Sequence, residues 1–264
     1  MCKWKPDRIR PLLILASCVV LSVLAPGSAD DVVLVQNGEP EASIIMADSP
    51  THSARLAALE LQHHIELITG ARLPITTPDR APSRARILVG ESAATKDLGL
   101  EASDFDSQEY LIRVADNTVV LIGKDWLDTP ANRTEEGLDT NLRSLDDWRE
   151  AIDYNNAVGR TDAAKEPITL PGTFDNQGTC YATYDFLERF CGVRWYGPTP
   201  LNVVVPSSHT LSIAPAEIRR APSLLHRYGT GGSWPILRKQ WNKPTGEQLR
   251  LFYRRMRVGG EKWA

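Results

Sequence analysis

Two stretches of this chain constrain its fold more than any other feature. In each, apolar residues recur at three- and four-residue steps, and each is halted by a glycine. The first runs from Thr51 to Gly70, with Ala54, Ala57, Ala58, Leu61, Ile65 and Ile68 on one stripe. The second runs from Thr179 to Gly192, with Cys180, Tyr184, Leu187 and Cys191 on one stripe. Steps of three and four place side chains on one face of an α-helix. A glycine just past the stripe supplies the left-handed residue that ends a helix. Ser49 or Thr51 can cap the first helix, and Pro50 suits its first turn.

Short β-branched runs surround these helices. Asp31–Gln36 and Ala42–Met46 flank Asn37-Gly38-Glu39-Pro40, a spacer that predicts a hairpin. Leu73–Thr76 and Arg86–Val89 read as strands, and Glu109–Val114 with Thr118–Ile122 as a second hairpin. Val119-Val120-Leu121-Ile122 is apolar without alternation, which predicts a strand buried on both faces. Further strands are expected at Val193–Tyr196, Asn202–Val205 and Thr210–Ile213. The expected class is therefore α/β, an α+β sandwich: a mixed, partly antiparallel sheet carrying two main helices.

Residues 126–170 break the pattern with charged and turn residues and read as a surface insertion. Glu135-Glu136 and Asp146-Asp147 fall there and read as solvated surface, as does the sequon Asn132-Arg133-Thr134. Ala214–Pro222 reads as a linker. Residues 223–264 then resemble the opening strand and helix of a second unit, with strand Ser223–Tyr228, a glycine-rich loop, and helix Thr245–Val258.

The first 29 residues have the layout of an export signal. Lys3, Lys5, Arg8 and Arg10 precede the apolar run Pro11–Leu24, and Pro26-Gly27-Ser28-Ala29 offers a cleavage site. The run is shorter than the roughly 20 residues that span a bilayer. Expected localisation is periplasmic or extracellular. Leu15-Ala16-Ser17-Cys18 offers lipid anchoring through Cys18 as the second option. Without residues 1–29 the chain keeps 26 basic and 32 acidic side chains, a net charge of −6. That balance argues against nucleic acid and anionic membranes as partners.

Cys180 and Cys191 share a helical face eleven residues apart, roughly 16 Å along the axis. That exceeds the ~7 Å limit for a disulfide, so both are expected to be buried and reduced. His63-His64 with Glu66 is no zinc site, because adjacent helical side chains diverge by about 100°. His52, His209 and His226 are isolated. Gly229-Thr230-Gly231-Gly232 lacks the Lys-Ser/Thr ending of a phosphate loop. No cofactor, metal or catalytic residue is expected from these patterns.

Two segments carry a family resemblance. Ala57–Ile75, an apolar helix followed by Thr69-Gly70 and a short strand with Pro74, resembles the first helix of the accessory domain that precedes bacterial α-glucuronidase and β-N-acetylhexosaminidase barrels. Gly178–Tyr196, with its Asp185-Phe186-Leu187-Glu188 core, Gly192 and aromatic strand, resembles the second helix of that domain. The resemblance covers residues 31–215 apart from the insertion. It implies a hexosaminidase domain 2-like accessory domain at 30–215 and a linker plus the first strand–helix unit of a truncated TIM-like barrel at 216–264. The implied function is a non-catalytic part of an exported glycoside hydrolase-like protein in polysaccharide breakdown. Its partner would be carbohydrate, bound through the adjoining barrel. Ala221–Tyr228 is similar to the first barrel strand of the family, where an arginine contacts sugar hydroxyls; here that residue is Arg227. Trp234 and Trp241 could stack on sugar rings or fill a core. The expected Asp-rich stretch after Tyr228 is replaced by glycines, a departure from hexosaminidases. The alternative is a free-standing carbohydrate-binding or cell-surface interaction module.

Overall fold

A computed structural model describes residues 30–80, 85–126, 170–227, 244 and 246–261. The expected signal at 1–29, residues 127–169 of the insertion expected at 126–170, and Trp234 and Trp241 lie outside the described residues.

A six-stranded mixed sheet forms the framework. Its strands in chain order are β3 (Ala42–Ile45), β4 (Ile75–Thr76), β5 (Ala85–Val89), β6 (Tyr110–Ala115), β7 (Thr118–Gly123) and β11 (Ala216–Arg220). Across the sheet the order is β11-β6-β7-β5-β3-β4. The β4, β3, β5 and β7 strands run parallel, and β6 and β11 continue antiparallel. The expected class is observed: a mixed α/β fold with a partly antiparallel sheet. Every residue of β7 is buried, as its uninterrupted apolar run requires.

The helix α1 (His52–Thr69) connects β3 to β4. Thr51 caps it by accepting from Ala54 N at 3.1 Å, and Gly70 ends it at φ 78°. The helix α3 (Gly178–Arg189) follows the insertion and lies beside α1 on the same face of the sheet. The short α2 (Ala93–Lys96) lies between β5 and β6. With the segment to Phe105 it covers the opposite face, where Ile45, Leu88, Leu100, Phe105, Leu111, Val120 and Ile122 form a second core. Burying one side chain of this size contributes about 1.5–3 kcal/mol.

The first hairpin differs from expectation. Asn37 and Gly38 both adopt positive φ (53° and 84°), the geometry of a tight two-residue turn. It pairs β1 (Val32–Gln36) with β2 (Glu39–Pro40), not with β3. β3 instead enters the main sheet, while β1 also pairs with β10 (Leu211–Ile213) in a small second sheet. Asp116 and Asn117 make the same kind of turn between β6 and β7, where the hairpin forms as expected.

Residues 216–220, expected as linker, are an edge strand. All five β11 residues pair with β6 from Ala216↔Val114 to Arg220↔Tyr110. Pro215 precedes the strand, so no ladder donor is lost. The remaining elements are β8 (Arg194–Trp195), β9 (Val203–Val204), β12 (His226–Arg227), α4 (Gly246–Arg255) and β13 (Gly259–Gly260). Trp195 is buried, whereas Tyr196, just past the end of β8, is 68% exposed.

The approach of α3 to the sheet requires glycine at position 178. A Cβ there would lie 2.5 Å from both Glu109 O and Lys124 N. These are backbone atoms that cannot swing aside. Gly178→Ala is expected to destabilise the fold by about 1–3 kcal/mol. A urea titration checks this: the midpoint should fall with the m-value unchanged.

Candidate functional site: the seam between the helical layer and the C-terminal segment

The α1–α3 layer meets the C-terminal segment along a seam of buried polar side chains. On α1, Leu56, Glu60 and His64 recur at four-residue steps and all are buried. On α4, Leu249, Leu251 and Phe252 are buried, and Leu251 and Phe252 join the main core. Arg255 closes that helix and forks onto Glu60. Its Nε donates to Oε2 at 2.7 Å and its Nη2 to Oε1 at 2.9 Å. The two side chains are 4% and 0% exposed. Burial of both charges costs several kcal/mol per ion before their attraction is counted. Only a two-point, hydrogen-bonded pairing such as this one offsets that cost.

The neighbours complete the pair. His64 Nδ1 donates to the Glu60 carbonyl at 2.8 Å, and its Nε2 accepts from Trp195 Nε1 at 3.2 Å. Those two bonds fix a neutral Nδ1–H tautomer. Burial, then the Arg255 charge, push the His64 pKa down to about 3, consistent with that form. The Trp195 indole lies edge-on to both His64 and Tyr184, and the Arg255 guanidinium sits 5.9 Å from its ring centre.

Two more arginines hold the segment. Arg254 is 3% exposed; its Nε donates to Pro171 O at 2.9 Å and its Nη2 to Thr173 Oγ1 at 3.3 Å. Burial holds its pKa below the usual guanidinium value. Arg227, the residue singled out for sugar contact, turns its donors onto the chain itself. Nε reaches Arg257 O at 2.8 Å, Nη1 reaches Leu224 O at 2.6 Å, and Nη2 reaches Tyr181 Oη at 3.1 Å and Gln108 Oε1 at 3.3 Å. The guanidinium also lies over the Tyr181 ring at 5.4 Å. In this arrangement Arg227 ties β12 to α3 and to the turn before β6. β12 and β13 pair antiparallel, whereas neighbouring barrel strands run parallel. β13 is therefore not a second barrel strand.

One carboxylate anchors the N-terminal ends of both sheet-covering helices. Asp125 follows β7. Its Oδ2 accepts from Thr51 Oγ1 at 3.0 Å, at the cap of α1, and its Oδ1 accepts from Thr179 N at 3.0 Å, in the first turn of α3. Burial pushes the Asp125 pKa up to about 6, against the pull of hydrogen bonds from Thr179, Ser53 and Thr51. Ser53 also joins the helices, accepting from Cys180 N at 3.2 Å. Cys180 and Cys191 are free and buried, as expected. Burial raises both thiol pKa values, that of Cys191 to about 12, so neither carries reactive thiolate near neutrality.

Among the described residues, no group of three or more His, Cys, Asp and Glu is placed to hold a metal ion. No described helix is long and apolar enough to cross a membrane. A groove of ≈ 290 Å³ lies at the C-terminal ends of β3 and β4, lined by Met46, Asp48, Arg55, Ile75 and Thr76 among others. Sequence reasoning missed Glu60, Asp125 and Arg255. The available signal was the Leu56–Glu60–His64 row, which puts a charge on a second buried flank of α1, set against the basic run at 254–257.

No family model matches the chain, and no curated protein matches it in sequence. Among solved structures it is similar to a family GH115 4-O-methyl-α-glucuronidase with specificity for decorated arabinogalactans. Identity is 16% and the TM-score 0.49, over 86% of this chain and 25% of that one. It is similar to the GH20 β-N-acetylhexosaminidase of Streptomyces coelicolor A3(2), at 12% identity and a TM-score of 0.39, over 78% and 26% of the two chains. A third is a β-hexosaminidase of Streptomyces plicatus, at 10% identity and a TM-score of 0.36, over 77% and 28%. The chain thus spans about a quarter of the length of each.

Two outcomes are expected. Glu60→Gln leaves Arg255 buried opposite a neutral group and should cost about 3–5 kcal/mol in a denaturant titration, since it strands one charge. Asp125 predicts a pH effect of defined sign. Its folded pKa of about 6 exceeds its unfolded value, so its contribution is fully present below pH ~4 and is lost as pH rises through 6. Asp125→Asn keeps the acceptor for Thr179 N and removes the titration. Between pH 4 and 7 the variant should gain stability relative to the parent, on the order of 2–3 kcal/mol. A pair of pH-resolved melting series measures the difference.

Proposed function

We propose that the chain is a non-catalytic accessory part, on the N-terminal side, of an exported glycoside hydrolase-like protein that acts in polysaccharide breakdown. In this reading the α1–α3 face braces the first strand–helix unit, β12 and α4, of a barrel. The supporting observation is the Glu60–Arg255 pair, which joins α1 to α4 across 195 positions with both charges buried. An accessory domain that serves a neighbour needs such a fixed register, and a flexible tether would not supply it. The two motifs at 57–75 and 178–196 point to the same role by their resemblance to accessory domains of α-glucuronidases and hexosaminidases.

Several details belong to the proposal. Residues 1–29 act as the export leader. The sheet domain runs through β11, since Arg220 still pairs with Tyr110, and the barrel side begins after it. Arg227 positions β12 through Tyr181 and Gln108. The carbohydrate is met through the barrel, and the chemistry of bond cleavage resides outside residues 30–264.

An enzymatic assay tests this reading. Residues 30–264, expressed and shown to be folded, should hydrolyse aryl glucuronides and aryl N-acetylhexosaminides no faster than buffer does. Turnover well above buffer that survives repurification would overturn the accessory role.

A further inference from the structure

The edge strand β11 and the end of α3 gather arginines around too few carboxylates. Glu217 takes Arg113 at 2.8 Å. Glu109 takes Arg219 at two points, 2.8 and 3.0 Å. Arg220 is next in line, and the carboxylate nearest to it is already occupied. Asp185 Oδ2 accepts from Tyr110 Oη at 3.1 Å, and both its oxygens accept from Arg189 Nε at 2.8 Å. Arg220 Nη1 and Arg257 Nη2 each approach Asp185 only to 3.9 Å, outside hydrogen-bond range. Glu188 is taken by Arg257. Among the described residues three guanidinium groups thus share two carboxylates, and one positive charge is left over there in a chain of net charge −3.

The surplus faces water. Arg189 is 45% and Arg220 49% exposed, whereas Asp185 beneath them is 9% exposed. Among the described residues the Arg220 side chain makes no hydrogen bond, and the terminal nitrogens of Arg189 make none either. Both heads lie within 4 Å of the same buried carboxylate, which holds them as neighbours. Two adjacent guanidinium forks with free donors match an oxyanion bearing two or three oxygens in a plane or a tripod.

We propose that Arg189 and Arg220, held by Asp185, form a surface subsite for the anionic groups of an acidic polysaccharide. The groups are carboxylates or sulfate esters, which present the same donor-seeking oxygens. The choice of a glycan as carrier rests on the accessory role proposed above; the charge surplus stands without it.

Titration calorimetry on the chain from residue 30 to 264 tests the subsite, with three probes at equal residue concentration. These are oligogalacturonate for carboxylate, a dextran sulfate oligomer for sulfate, and plain dextran. At least one anionic probe should bind where dextran does not, and its affinity should fall as salt rises. Arg220→Ala should weaken that probe by about tenfold or more, the loss of a charge-assisted contact. Arg72→Ala, at an exposed arginine whose charge partner is Glu66, should leave binding within about twofold, since it touches no part of the subsite. The melting temperature of Arg220→Ala should stay close to the parent's, because among the described residues the side chain makes no hydrogen bond and approaches Asp185 only to 3.9 Å. If neither anion binds better than dextran, or if the two variants weaken binding equally, the subsite is overturned. Binding to a non-glycan polyanion such as polyglutamate with equal strength would retain the subsite but reject the glycan. A blank for all probes leaves the accessory reading standing, because that reading depends on Arg255 and on the absence of turnover.

Discussion

A buried ion pair between residues 195 positions apart governs how this chain is put together. Glu60 and Arg255 share no local segment, so their fork-to-fork contact forms only when α1, α3 and α4 occupy one arrangement. Apolar packing is non-directional, so burial of Leu251 and Phe252 by itself fixes register only weakly. A desolvated charge does not tolerate sliding, since a slip of one turn leaves both ions unpaired. The pair adds little net stability and much register. His64 and Trp195 extend this effect by using their last polar atoms on each other, so the seam holds together as a unit.

Asp125 does for the sheet what Glu60 does for the seam. It stands where β7 ends and two helices begin, and it accepts from the cap residue of one and the first turn of the other. Helix N-termini favour negative charge, so the position suits a carboxylate even though burial lifts its pKa. Alignment of α1 and α3 by Asp125 places Glu60 and Tyr181 where Arg255 and Arg227 meet them. The function proposed for the chain follows from this order: sheet, paired helices, then a docked neighbour.

Much of this was legible in the residues. The three- and four-step stripes gave α1 and α3 to within a few positions, and the unbroken run at 119–122 gave the central strand. These signals are local, and local periodicity needs no tertiary knowledge. The losses have a common cause. β11 looked like linker because Pro215 and Pro222 bracket it, and because an edge strand carrying Glu217, Arg219 and Arg220 lacks the apolar alternation that marks a buried one. β3 was paired with the wrong neighbour because a turn fixes where a chain reverses, not which sheet the next strand joins. Glu60 and Arg255 were missed because each is ordinary on its own helix, and the row that carries Glu60 gains meaning only once the two helices meet across the fold. Arg227 was noticed for its resemblance, yet the structure turns its donors inward to Tyr181, Gln108 and three backbone carbonyls.

The central claim is that α4 belongs to the same cooperative unit as α1 and α3. Native-state hydrogen exchange measures this directly, because amides in one unit open together. The backbone amides of 249–256 should exchange with protection comparable to those of 56–66 and 181–188, and all three should lose protection at the same denaturant concentration. Exchange of 249–256 at the rate of free peptide, while α1 and α3 stay protected, would show that the C-terminal segment is merely attached and that no docked seam exists.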